Sequence, residues 1–272
     1  MKKIIILAGN GFLPINIINI LVKKKINFCS LIISDKGWDK NLKKYDYKIT
    51  NIGKVLTEII KLKKLGYNSL IMAGSIPRPG ILNIKPDFKS LKILPRFTKV
   101  LLKGGDNLLL KFIINELERL ELSVLNIKSI APELFLGLGS YTQTTPSKIS
   151  ESDINRGKLI LNTLSNYDIG QSIIVQQGTV IGIEAIEGTD NLIIRSKKYF
   201  KDGVKPTLIK LFKKKQDFRA DLPTIGFKTI QLCKSNSIGG IVFTANKTLF
   251  IDREKILEEM KINKLFLIGT GG

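Results

Sequence analysis

Apolar positions in the first half of this chain alternate between short continuous runs and stretches of helical spacing. Lys2 to Ala8 reads as a buried parallel strand, GNGFLP (Gly9 to Pro14) as a turn, and Ile15 to Val22 as a helix. Phe28 to Ser34 is a second strand, Ile52 to Leu65 a helix closed by Gly66, and Ser69 to Met72 a third strand. Thr98 to Leu102 and Asn107 to Leu120 have helical spacing, with Gly104 and Gly105 between them and Asp106 as the N-cap of the second; Leu122 to Asn126 is a last strand. This repetition predicts an α/β fold whose residues 1–133 form a Rossmann-like domain around a parallel sheet.

Phe135 to Ser147 (FLGLGSYTQTTPS) has no periodicity and reads as an interdomain linker over residues 134–148. Beyond it the order of elements is mixed. Ser150 to Asp153 resembles a capping box opening a helix through Leu164, and Ile173 to Gln176 with Thr179 to Ile186 reads as a hairpin. A helix over Thr189 to Tyr199 and a strand over Thr207 to Phe212 follow, and Pro223 is expected to start a helix reaching Lys234. Gly240 to Ala245 and Leu249 to Asp252 read as a second hairpin, ahead of a helix at Glu254 to Lys261 and a strand at Leu265 to Ile268. Residues 149–272 are therefore expected to form a smaller, mixed α+β domain carrying the catalysis.

Composition narrows the chemistry. The 272 residues contain no histidine, which removes Ser-His and Cys-His nucleophile pairs, imidazole acid–base chemistry and His-bound zinc together. Cys29 and Cys233 lie far apart without paired spacing, so neither a disulfide scaffold nor a thiolate metal site is expected. The opening apolar run is too short to span a membrane and lacks a small-residue cleavage site, which points to a cytoplasmic globule. A net charge of +21 invites a nucleic-acid reading, but the excess is lysine spread over helical faces, as in Lys61 to Lys64. No nucleic-acid partner is expected; the same charge favours anionic substrates and an anionic membrane surface.

Three stretches concentrate the remaining chemistry. In GIEAIEGTDNLIIR, Gly182 to Arg195, an apolar run brings Glu184, Glu187 and Asp190 to a corner that breaks at Gly188 and enters a helix through Thr189. A helix start suits a phosphate and neighbouring carboxylates suit Mg²⁺, although the same residues read equally well as solvent-facing strand acids and a first-turn charge. RADLPTIG, Arg219 to Gly226, sets Asp221 beside Arg219 and ahead of Thr224; helix capping or an Asp–Arg pair is the plainer account of it. AGSIPRPG, Ala73 to Gly80, places Ser75 and Arg78 just beyond a strand's carboxyl end, where ligands gather in parallel sheets. Arg78, Arg195 and Arg219 each stand at such a turn as planar phosphate donors. The turn with Gly9 and Gly11, followed by Asp35, also approaches a dinucleotide motif, so an NAD(P)-dependent oxidoreductase is the alternative, weakened by Pro14 in place of the last glycine.

These segments, with KGGDNLLL at Lys103 to Leu110, DIGQSIIVQQGTVIGIEAIEGTDNLIIR at Asp168 to Arg195 and GIVFTANKTLFIDRE near the end, resemble the UDP-2,3-diacylglucosamine pyrophosphatases of lipid A biosynthesis known as the LpxI type. The resemblance runs over nearly the whole length. It implies a two-domain enzyme that hydrolyses UDP-2,3-diacylglucosamine to UMP and 2,3-diacylglucosamine 1-phosphate (lipid X), with Mg²⁺ or a similar ion and the lipid product lying between the domains. It places the essential acid on Asp221, with Arg219 and Glu187 as its catalytic companions and Asp190 as a second metal ligand in the C-terminal domain. Gly9, Gly11, Ser75, Arg78, Gly188, Thr189, Asp190, Arg195 and Thr224 would bind substrate. Where the family often carries two adjacent acids after Lys-Gly, this chain has Gly105 and Asp106. The partners expected are the substrate and product and the anionic inner-membrane surface, with a homodimer left open.

Overall fold

The structure is a computed structural model that describes residues 3–33, 44–76, 80, 84–103, 105–214 and 216–271. The chain divides into two compact units, one of residues 1–132 with 217–221 and one of residues 133–216 with 222–272.

The first unit contains β1 (Lys3–Ala8), α1 (Leu13–Lys23), β2 (Asn27–Ile33), β3 (Tyr47–Thr50), α2 (Val55–Lys64), β4 (Ser69–Ala73), α3 (Phe88–Leu91), α4 (Leu94–Lys103), α5 (Asp106–Arg119) and β5 (Ser123–Val124). Its sheet is parallel throughout, as the strand–helix repetition predicts, and runs in the order β3-β2-β1-β4-β5. Pleating sends Ile5 and Leu7 into a core with Leu31, Leu70 and Met72, closed by Ile59 and Leu62 of α2 and Ile114 and Leu117 of α5. The opposite face buries Ile17, Ile18 and Leu21 of α1, which packs on β2 and β4. Strand β3 has no counterpart in the sequence reading: a four-residue edge strand with alternating exposure carries too few apolar positions to register as a pattern. The N-cap of α5 is Gly105, in extended backbone, and Asp106 is instead the first helical residue, where its charge still meets the helix's positive end.

The second unit contains β6 (Gly139–Ser140), α6 (Lys148–Leu164), β7 (Ser172–Gln176), β8 (Thr179–Ile183), α7 (Gly188–Ser196), β9 (Thr207–Lys210), β10 (Thr224–Ile225), α8 (Phe227–Ser235), β11 (Gly240–Thr244), β12 (Leu249–Phe250), α9 (Arg253–Ile262) and β13 (Phe266–Thr270). Its mixed sheet runs β6-β13-β11-β9-β7-β8, with β9, β11 and β13 parallel and the β7–β8 hairpin antiparallel beside them. Helices α7, α8 and α9 cover one face through Leu192, Ile193, Ile230, Ile256 and Met260; Ile154 and Leu161 of α6 cover the other. Asp153 of α6 is fully buried and accepts from the amides of Gln177 and Gly178, which ties that helix to the hairpin turn.

Four local expectations are corrected. Pro223 does not open a helix: its carbonyl accepts from Leu249, Thr224 and Ile225 pair with Leu249 and Phe250, and α8 starts at Phe227. The expected hairpin of residues 240–252 is absent because β11 is already flanked on both edges by β9 and β13. The cap of α6 is Ser147, whose hydroxyl accepts from the Ser150 amide, rather than the box at Ser150 to Asp153. The stretch expected as a linker is built into the second unit: Phe135 and Leu136 are buried and β6 pairs with β13.

Candidate functional site

In the first unit the sheet order reverses direction between β1 and β4, and crevices at such switch points receive ligands. The loops leaving these strands are zipped together: the amide of Gly9 donates to Ala73, and Asn10 and Ser75 exchange amide hydrogen bonds of 2.7 and 3.0 Å. A Cβ on Gly9 would lie 2.4 Å from the Ser75 carbonyl oxygen, so close approach of two backbones explains this glycine. Gly11 has φ +99° and open space where a Cβ would stand, so its backbone conformation is what favours glycine. Arg78 and Asp35 lie outside the described residues.

Behind these loops is an apolar cavity of about 330 Å³, walled by Leu7, Met72, Ile59, Phe97 and Ile113 and edged by Ser75, Asp106 and Asp221. Its volume is roughly twice that of an engineered cavity of about 150 Å³ that holds benzene. Asp221 reaches it because residues 217–221 pack with the first unit, away from the sequence neighbours that belong to the second. A clamp fixes that segment. Arg219 donates Nε and Nη2 to Asp217 at 3.0 and 2.8 Å and Nη1 to Glu118. The guanidinium holds the Asp217 carboxyl below the usual carboxylate range, and the two carboxylates raise the arginine in return. Arg219, expected as a phosphate donor, thus spends three of its nitrogens on protein carboxylates.

In the second unit the Glu187-to-Asp190 corner is held in the same manner. Gly188 takes φ +79°, as the turn into α7 requires. Glu187 accepts from the Ala185 amide at 3.1 Å and from Arg195 Nε at 2.8 Å, and Arg195 Nη2 also donates to the Ile183 carbonyl. The Glu187 carboxyl is lowered first by its own backbone amide and then by Arg195. Asp190 accepts from the Thr229 hydroxyl at 2.8 Å on α8 and faces the exposed Lys228 ammonium at 3.4 Å. Thr224 lies on β10 and donates to the Leu222 carbonyl. Both thiols are buried, and burial pushes Cys29 and Cys233 up, away from the reactive thiolate form. Among the described residues no group of three or more Asp, Glu, Cys or His side chains could hold a metal ion.

Thr189 leads to a residue that the sequence reading passed over. Its hydroxyl, in the first turn of α7, accepts from Lys210 Nζ at 2.5 Å and lies 2.9 Å from the Ser172 hydroxyl. Lys210 is 4% exposed and ends β9 directly opposite Ser172 of β7. The signal was a single lysine inside the apolar run TLIKLF, at the pleat position that continues Leu208 into the core. Close by in sequence, Glu184 is 6% exposed and its Oε2 has no hydrogen-bond partner among the described residues.

The sequence comparisons follow the same division. The family models described as the LpxI N-terminal domain and the LpxI C-terminal domain match residues 3–134 and 137–268. The UDP-2,3-diacylglucosamine pyrophosphatase LpxI of Caulobacter vibrioides is 28% identical over 279 residues, which cover 99% of this chain and 98% of that protein. With two paired glycine loops over an apolar cavity in one unit, a carboxylate corner in the other, and both family domains matched in order, the chain belongs to the LpxI family.

Proposed function

We propose that this chain hydrolyses UDP-2,3-diacylglucosamine to UMP and 2,3-diacylglucosamine 1-phosphate (lipid X), a step of lipid A biosynthesis. The observation that carries the reading is the apolar cavity with Asp221 at its edge, at the carboxyl ends of β1 and β4. A nucleotide alone has little use for the run of apolar side chains that makes up most of this lining, whereas an acyl chain fills it and leaves its polar head beside Asp221. The oxidoreductase alternative finds no support in the family assignment.

Water attacks the phosphorus nearer the sugar, and UMP leaves. Asp221 is the residue on which turnover depends. Gly9, Gly11 and Ser75 let the substrate approach backbone-first; Arg78, outside the described residues, keeps the phosphate-binding role that the sequence suggests for it. Gly188, Thr189 and Asp190 take phosphate oxygens, with Thr224 contributing. The clamps support the backbone that carries these groups: Arg219 holds the segment ending at Asp221, and the Glu187–Arg195 pair holds the entry to α7.

Mg²⁺ or a similar cation belongs to this reading; when bound it neutralises phosphate charge and lowers the pKa of its water. The side chains present suit it, since such an ion needs only one or two carboxylates and completes its shell with water and phosphate oxygens. Asp221 and Asp106, which line the first unit's cavity, offer them; Asp190 of the second unit, with Oδ2 3.4 Å from the exposed Lys228 ammonium, is the other ligand that the sequence suggests. The net charge of +21 supports peripheral attachment to an anionic membrane surface, and no described helix is long and apolar enough to cross a membrane.

The test is release of UMP from UDP-2,3-diacylglucosamine, followed by ³¹P NMR in H₂¹⁸O. The label is expected in the lipid phosphate, and Asp221→Asn is expected to lose at least about a thousandfold in kcat with its melting temperature unchanged. Normal turnover by the Asp221→Asn protein would overturn the assignment.

A further inference from the structure

Lys210 occupies a position that elementary packing gives to an apolar residue. It follows Leu208 on the sheet face covered by α7, α8 and α9, and its cross-strand neighbours are Phe243 on β11 and Ser172 on β7. An ammonium taken out of water is costly there, and replacing buried charges by apolar groups of similar volume is often neutral or stabilising. The amino end of α7, beside which it lies, carries the same sign of charge and so does not attract it.

The hydrogen-bond directions say what the lysine does. An ammonium has three donors and no acceptor, so the Thr189 oxygen must receive from it. Ser172 lies 2.9 Å from the same oxygen and 3.5 Å from the ammonium. Either hydroxyl of the Ser172–Thr189 pair can be the donor; with Ser172 donating, both lone pairs of the threonine are occupied and its own proton points out of the triangle. A donor at the start of α7 suits an anionic oxygen and rejects a donor ligand.

We propose that Lys210 is a positioning residue for the hydrolysis set out above, and this inference rests on that reading: it commits the Thr189 hydroxyl to donate to a phosphoryl oxygen of the substrate. Ser172 completes the arrangement. The sequence breaks its own apolar pattern at Lys210 for this purpose, as happens at sites where function overrides local consistency.

Steady-state kinetics on UDP-2,3-diacylglucosamine with Lys210→Met, Lys210→Arg, Thr189→Val and Thr189→Ser provide the test. Lys210→Met is expected to lower kcat about 30- to 100-fold with KM within twofold of wild type, and to melt no lower than wild type. Thr189→Val is expected to give a loss of similar size, the double variant no more than either single one, and Lys210→Arg and Thr189→Ser partial recovery. Should Lys210→Met fail to fold, the Thr189 pair alone decides, since Thr189→Val removes the acceptor and leaves the ammonium in place. Wild-type kcat in Thr189→Val, or losses that multiply in the double variant, would overturn the proposal. A wild-type protein that releases no UMP would overturn the hydrolase reading itself, which is a different result from an active wild type with an indifferent Thr189→Val.

Discussion

The carboxyl ends of parallel strands carry the chemistry in both units, but they end on opposite kinds of surface. In the first, β1 and β4 open onto a cavity lined mostly by apolar side chains such as Leu7, Met72, Phe97 and Ile113, with Asp106, Glu116 and Asp221 also in its lining. In the second, β9 ends on a buried ammonium bonded to the Thr189 hydroxyl, and Asp190 and Glu187 stand nearby in sequence on α7 and its cap. The first unit's strand ends are apolar and its charges come from a helix and a loop; the second carries a charge on the strand end itself. An amphiphile with acyl chains and a diphosphate, the substrate proposed above, has use for both kinds of environment.

The largest stability effect is expected where the first unit's loops touch. In Gly9→Ala the new methyl would sit 2.4 Å from the Ser75 carbonyl oxygen, and backbone cannot swing aside as a flexible side chain can. Overpacking of this kind costs about 1–3 kcal/mol, and losing the paired Asn10–Ser75 hydrogen bonds adds about 1 kcal/mol each. Urea unfolding followed by hydrogen exchange is expected to show the loss in peptides of residues 3–33 and 44–76, with α7 and β9 protected as before. The contrasting variant is Gly226→Ala in the second unit, which has nothing within 4 Å of an added Cβ and is expected to cost no more than about 1 kcal/mol, the effect of alanine at the N-cap of α8. Uniform loss across both units would break the division drawn here.

The next effect is on substrate length. Ile113→Trp fills part of the cavity from α5. Displacing two methylenes of a bound chain costs about 1.6 kcal/mol at about 0.8 kcal/mol each, which is roughly 15-fold in KM. kcat should stay near wild type, because the second unit's polar groups are untouched, and a substrate shortened by several carbons should recover the wild-type KM. A kcat effect with unchanged KM would show that the cavity does not take the chain.

How far the sequence disclosed this arrangement also differs between the units. In the first, each buried strand is a continuous apolar run and each crossing helix a periodic one, so the sheet was legible except for β3, which is short and alternately exposed. In the second, β10 and β12 are two residues each and pair across 25 positions of sequence, a contact no local pattern announces. Gly188, Thr189 and Asp190 could be read as a helix-start corner because turn chemistry is local. That residues 217–221 would pack with the first unit could not be read, because it depends on where the chain returns in space. Lys210 was visible as a charge in an apolar strand, but a lysine in a chain with so many of them draws little attention until its burial is known.

The smallest effect separates the two arginine clamps. Asp217 is held low chiefly by the Arg219 side chain, whereas Glu187 is held low first by its own backbone amide and only then by Arg195. A carboxyl depressed in the folded state contributes stability in full above its unfolded pKa, about 3.9 for Asp and 4.3 for Glu, and loses it as pH falls through the lower folded value. Removing the arginine should therefore matter more for Asp217. Arg219→Met is expected to lower stability by about 1 kcal/mol at pH 6, a figure kept small because the pair is partly exposed, and to flatten the decline below pH 4, so that mutant and wild-type curves converge near pH 2. Arg195→Met should keep most of the wild-type slope, since the amide that restrains Glu187 survives the substitution. Urea midpoints taken at half-unit steps from pH 6 to pH 2 would show the difference, and two arginine variants with the same flattened slope would mean that the clamps are equivalent after all.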